Sequence, residues 1–114
     1  MMTSRIFGSP AGRPLFIDFN AYTDGDDEFK KELIDLMIEN LQELQQTSKL
    51  AAQNNDGPLF HRVCHKIKAT TEMLSDAEFS ETIEQLKVIV TDASRIAHLD
   101  KICGGIIDSL RKAS

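Results

Sequence analysis

In DDEFKKELIDLMIENLQEL, residues 26–44, apolar side chains recur at steps of three and four: Phe29, Leu33, Leu36, Met37, Leu41 and Leu44. Successive helical residues turn by about 100°, so this spacing gathers them on one face of an α-helix. Asp26, Asp27 and Glu28 stand just ahead, where acidic groups suit the positive end of a helix dipole. The segment predicts a long amphipathic helix over 26–52. It closes in Gln53-Asn54-Asn55-Asp56-Gly57-Pro58, a cluster of turn formers in which Asp56 or Gly57 caps the next helix and Pro58 sits in its first turn.

Working outward, a second helix is expected from Pro58 to Leu74. Ser75 followed by Glu78 reads as a capping box opening a third, which turns Phe79, Ile83, Leu86 and Val90 inward and stops near residues 91–94. Ile96, Leu99, Ile102, Ile106 and Leu110 mark a fourth helix reaching Lys112. Gly104-Gly105 inside it costs about 1 kcal/mol per glycine relative to alanine, so packing must hold it straight or it kinks. Toward the N-terminus, Leu15-Phe16-Ile17-Asp18-Phe19 suggests a short capping helix or turn, and residues 1–14, without periodicity, read as a flexible tail. No strand alternation competes. The expected fold is all-α, an antiparallel up-down four-helix bundle over 15–114.

Composition agrees with one domain. The 114 residues are 41% hydrophobic and 27% charged, enough for one core without metal or disulfide staples. A net charge of −5 and a pI near 5.1 give a field that repels phosphate backbones and anionic lipid, so nucleic acid is not an expected partner. Neither an export signal nor an apolar run of the ~20 residues a bilayer requires is visible, and a cytoplasmic location is expected. Cys64 and Cys103 fit no paired metal-ligand spacing and read as free thiols of a reducing compartment.

The second helix carries the chemistry. Phe60, Val63, Ile67, Thr71 and Leu74 fall on one stripe, which turns His65 outward beside His61, Lys68 and Glu72. His61, Arg62, Lys66 and Lys68 make this stretch locally basic in an acidic chain. An imidazole ordinarily titrates near 6.5, so an exposed one is largely unprotonated at neutral pH and nucleophilic enough to accept a phosphoryl group. A lysine one turn on offsets the charge of the phosphoryl oxygens, and small Ala69 leaves room for a partner to close over the ring. No Gly-rich phosphate loop accompanies it.

The run Cys64-His65-Lys66-Ile67-Lys68-Ala69-Thr70-Thr71 followed by Leu74 resembles the signature of histidine-containing phosphotransfer (HPt) domains, in which a His is followed by x-Leu-Lys-Gly and small residues. The resemblance implies a four-helix bundle over roughly 24–112, with His65 as phosphoacceptor and Lys68 supporting the phosphoryl group. It also implies a relay. A receiver domain's aspartyl phosphate passes to His65 and from there to a second response regulator, with a hybrid sensor histidine kinase upstream. On this reading the chain has no kinase activity and no cofactor of its own, the assisting Mg²⁺ belongs to the receiver, and a monomer is expected. The partner would meet His61, Arg62, Lys66, Ala69 and Glu72 on the exposed face of residues 58–72, together with the flank of the first helix over 40–47. Ala69 stands where the family usually has Gly, and Ser75-Asp76 replaces the small residue that commonly follows the last Leu. That departure keeps a second reading open: a non-catalytic helical adaptor that binds through the same patch.

His61 and His65, four apart, could clamp a metal with Glu72 or His98, although two helical histidines carry little specificity. Cys64 points about 100° from His65 and reads as packing, as do Met37 and Met73. His98 has no evident partner in the sequence. Asp24 to Glu28 is a helix start and lacks the spacing of a Ca²⁺ loop.

Overall fold

A computed structural model describes residues 13–114, and within them every regular element is helical. In chain order these are α1 (Phe19–Thr23), α2 (Asp27–Asn54), α3 (Gly57–Lys66), α4 (Lys68–Leu74), α5 (Ala77–Val88) and α6 (Ala93–Ala113). Five of the six begin on an aspartate whose carboxylate accepts a backbone N–H of the first turn: Asp18, Asp26, Asp56, Asp76 and Asp92. Each such cap is worth about 1 kcal/mol, and the acid also suits the positive helix end. Part of the chain's net negative charge is therefore structural. Three helices end on a residue in the left-handed region, Asp24, Asn55 and Ser75, at φ near 50°.

The expected capping box is replaced. Ser75 closes α4 instead of opening α5: its backbone is left-handed and its hydroxyl donates to the Glu72 carbonyl at 3.0 Å. Asp76, one residue later and extended, caps α5 through the Phe79 N–H at 3.1 Å. A carboxylate is the stronger acceptor, and Glu78 is left free to meet Arg13 and His98.

The core draws Ile34, Met37, Leu41 and Leu44 from α2, at steps of three and four, with Ala51 seven residues further on, and joins them to Phe60, Ile67, Phe79, Leu86, Leu99 and Leu110, all fully buried. The inward positions expected for the last two helices are all buried. Helix α2 packs against both α3 and α6, and α5 packs against α3 and α6, so the four elements meet around one interior. Phe29 and Leu36, expected in the core, are instead 47% and 53% exposed. They lie at the edge of the apolar stripe, whose middle is set by Ile34, Met37 and Leu41.

Helix α6 runs unbroken through Gly104 and Gly105. A Cβ at Gly105 would stand 3.4 Å from Arg13 Cβ, at the near limit of ordinary contact, so the N-terminal segment lies directly against the helix here. Arg13 is fixed there by its backbone, which both donates to and accepts from the Ser109 hydroxyl, and by its guanidinium on Asp76 and Glu78. Leu15, Ile17 and Phe19 then pack partly buried against the core, with the helix starting only at Phe19. The tail expected over 1–14 lies outside the described residues except for Arg13 and Pro14, and Arg13 is held. No helix among the described residues is long and apolar enough to cross a membrane.

Candidate functional site

The helix expected over 58–74 is two helices. It breaks at Ile67, whose backbone (φ −99°, ψ 14°) leaves helical geometry while its side chain stays fully buried. Neither proline nor glycine is at the break. The helical hydrogen bonds stop and restart there: the Ile67 N–H on the Val63 carbonyl closes α3 and the Thr71 N–H on the Ile67 carbonyl opens α4, each 3.1 Å. Two threonine side chains follow the break. The Thr71 hydroxyl also donates to the Ile67 carbonyl at 3.5 Å, a back-bond of the kind that bends helices, and Thr70 is drawn toward α2 by Asn40 Nδ2, which donates to its hydroxyl at 2.9 Å. The break shifts the wheel, so that Thr70 is buried and Thr71, expected on the apolar stripe, is only half-buried.

His65 stands exposed in the last turn of α3, and Lys68, its side chain 67% exposed, is the first residue of α4. Both line an open groove of about 520 Å³ between α3–α4 on one side and α5 on the other. His61, Cys64, Thr71 and Glu72 complete the first wall; Ser80, Ile83, Glu84 and Lys87 form the second. Lys68 Nζ lies 3.9 Å from Glu72 Oε2, and Lys87 Nζ lies 2.9 Å from Glu84 Oε2. The His61 ring nitrogen Nε2 is 3.4 Å from the Lys87 carbonyl oxygen and ties the end of α5 to α3.

Of the residues expected to meet a partner, His61 and Glu72 share this groove with His65 and Lys68. Arg62, Lys66 and Ala69 are exposed but do not line it. Lys66 turns away to Glu43 on α2, at 3.0 Å, so its charge is spent on a helix–helix contact. The sequence points to the flank of α2 over 40–47 as the surface beside this patch, whereas the groove's second wall is α5. Ser80, Glu84 and Lys87 fall at steps of four and three, one face of a helix, and the two-residue connection Ser75-Asp76 makes α5 the neighbour of α4. Those two signals together would have found them.

The thiol beside the imidazole is out of play. Burial pushes Cys64 up to about 11, with smaller opposed effects of Lys87 and Glu84, and pushes Cys103 up to about 12. Both are free, buried and protonated at neutral pH. His98, which had no evident partner, is 2.9 Å from Glu78 Oε2 on a different face and does not join His61 and His65. Among the described residues no three His, Cys, Asp or Glu side chains converge as a metal site would require. Of the two imidazoles that line the groove, His61 has its Nε2 near the Lys87 carbonyl, and His65 shares the groove with the ammonium groups of Lys68 and Lys87.

A scan against protein-family models and searches of curated proteins and solved structures return no match. The functional reading rests on the groove and on the motif that forms it.

Proposed function

We propose that the chain is an HPt-like phosphorelay intermediate, with α2, α3–α4, α5 and α6 as the members of an up-down four-helix bundle and His65 as phosphoacceptor. The observation that carries this reading is the shared groove: an exposed imidazole and the lysine three residues on both line it. A neutral His65 attacks the phosphorus of a receiver's aspartyl phosphate through the Nε2 lone pair. The N–P bond forms, the P–O bond to the aspartyl carboxylate breaks, and the carboxylate leaves with the electron pair. The imidazole then gives its Nδ1 proton to solvent. Lys68, which lines the same groove, meets the phosphoryl oxygens, and the receiver's Mg²⁺ neutralises charge on the donor side. Transfer to a second response regulator is the same step reversed. A chain working between a hybrid sensor kinase and such regulators acts in the cytoplasm.

The test incubates the purified chain and His65→Gln with phosphorylated receiver domains and Mg²⁺ and assays for acid-labile, alkali-stable phosphate. Label on the wild type alone is the expected result. Label retained by His65→Gln would remove His65 from the reaction. A receiver that binds but keeps its phosphoryl group would make the chain an adaptor.

A further inference from the structure

We propose that Lys87 is a second cation for the phosphoryl group of His65, reaching it from the α5 wall opposite Lys68, and that Glu84 withholds it in the unmodified protein. The inference rests on the phosphoacceptor reading and assigns new roles to residues outside the motif. Lys87 is not a freely waving surface lysine. Its side chain is only 31% exposed, against 67% for Lys68, its carbonyl is tied to His61 one turn before His65, and it lines the same groove as the imidazole. The charges of Lys87 and Glu84 both reach the Cys64 thiol, which adjoins His65 in the chain.

Electrostatics supplies the reason for two lysines. In the unmodified groove each is matched by a carboxylate of its own helix, Lys68 by Glu72 and Lys87 by Glu84, and the site is close to neutral. A phosphoryl group brings a charge of about −1.5 to −2, set between those two carboxylates. Lys68 alone, still shared with Glu72, leaves most of it uncompensated. Exposed ion pairs hold weakly, whereas ammonium-to-phosphoryl hydrogen bonds are short and charge-assisted, so both lysines exchange carboxylate for phosphoryl oxygens as the N–P bond forms. Glu84 therefore restrains acceptance, because its carboxylate competes with the incoming group for Lys87.

The full-length chain is treated with phosphoramidate, a donor that needs no partner protein. The His65 nitrogen attacks phosphorus, the donor's P–N bond breaks, and ammonia leaves and takes up the imidazole proton as ammonium. Labelling rates are measured by ³¹P NMR for wild type, Lys87→Ala, Lys87→Arg and Glu84→Gln, with helicity followed in parallel. Lys87→Ala should slow labelling about three- to tenfold and Lys87→Arg should restore most of the rate. Glu84→Gln should speed it, although it breaks the same ion pair; a merely structural pair would make both changes act alike. Equal rates in wild type and Lys87→Ala, or slower labelling in Glu84→Gln, would overturn the role of Lys87 and leave His65 standing. A wild type labelled by neither phosphoramidate nor any receiver would remove the phosphoacceptor reading itself.

Discussion

Arg13 grips Asp76 through two parallel hydrogen bonds, Nε to Oδ2 at 2.6 Å and Nη2 to Oδ1 at 3.0 Å. The carboxylate that receives them is almost fully buried and also caps α5, so one side chain anchors the chain ahead of α1 and starts a helix. Removing the guanidinium leaves a buried charge short of partners. Arg13→Ala should lower stability by about 1–3 kcal/mol, read as a shift in the urea midpoint.

The same pair fixes an acid dependence. The Arg13 hydrogen bond, foremost, holds the Asp76 carboxyl below the usual carboxylate range. A depressed value in the folded state means the stabilisation is complete above the ordinary value of about 4 and is lost as pH falls through the lowered one. The difference in urea midpoint between wild type and Arg13→Ala should therefore be full at pH 7 and shrink steadily below pH ~4.

The buried thiols give the opposite slope. Cys64 and Cys103 are raised to about 11 and about 12 by burial. In the unfolded chain thiols ionise near 8.5, so the stability they contribute is present below that value and declines as pH rises toward the folded ones. At pH 8 iodoacetamide should label neither in the native protein and both in urea. Cys64, which lines the groove, should react first as denaturant is raised.

Gly104 lies inside α6 with only Gln45 Nε2 near the place a Cβ would occupy, at 4.0 Å. Gly104→Ala should therefore gain helix propensity without a clash. The expected effect is a stabilisation of about 0.5–1 kcal/mol in chemical denaturation.

Ala69 is exposed on α4, a helix that has no side-chain cap at its start. Ala69→Gly should cost about 1 kcal/mol of stability. Phosphoramidate is small and should label His65 at an unchanged rate in this variant, while transfer from a receiver domain, which must close over the helix, should rise. Parallel rate measurements with the two donors check this.

Much of the fold is legible in the chain because caps and spacing are local. Asp26, Asp56 and the inward residues of α5 and α6 stand where the sequence puts them. Phe29 and Leu36 mislead because a wide apolar stripe does not say which of its edges is covered; they lie roughly 90–110° from the middle of the buried face at 100° per residue. The capping box misleads because Ser75 and Asp76 are both good caps, and the choice depends on how α4 ends and on Arg13, 63 positions away in sequence. His65 and Lys68 are picked out by the motif, whereas Glu84 and Lys87 carry no motif of their own and join the groove through the packing of α5 on α3.

The interruption at Ile67 has a mechanical meaning. His65 belongs to one rod and Lys68 to another, and the pivot between them is a side chain sealed in the interior. A small swing of α4 carries Lys68, Ala69 and Glu72 as a unit while the imidazole stays with α3. The three-residue interval between His65 and Lys68 is thus an adjustable span, and changes to Thr70, Asn40 or the packing beneath Ile67 would retune surface chemistry from below without touching a single exposed group.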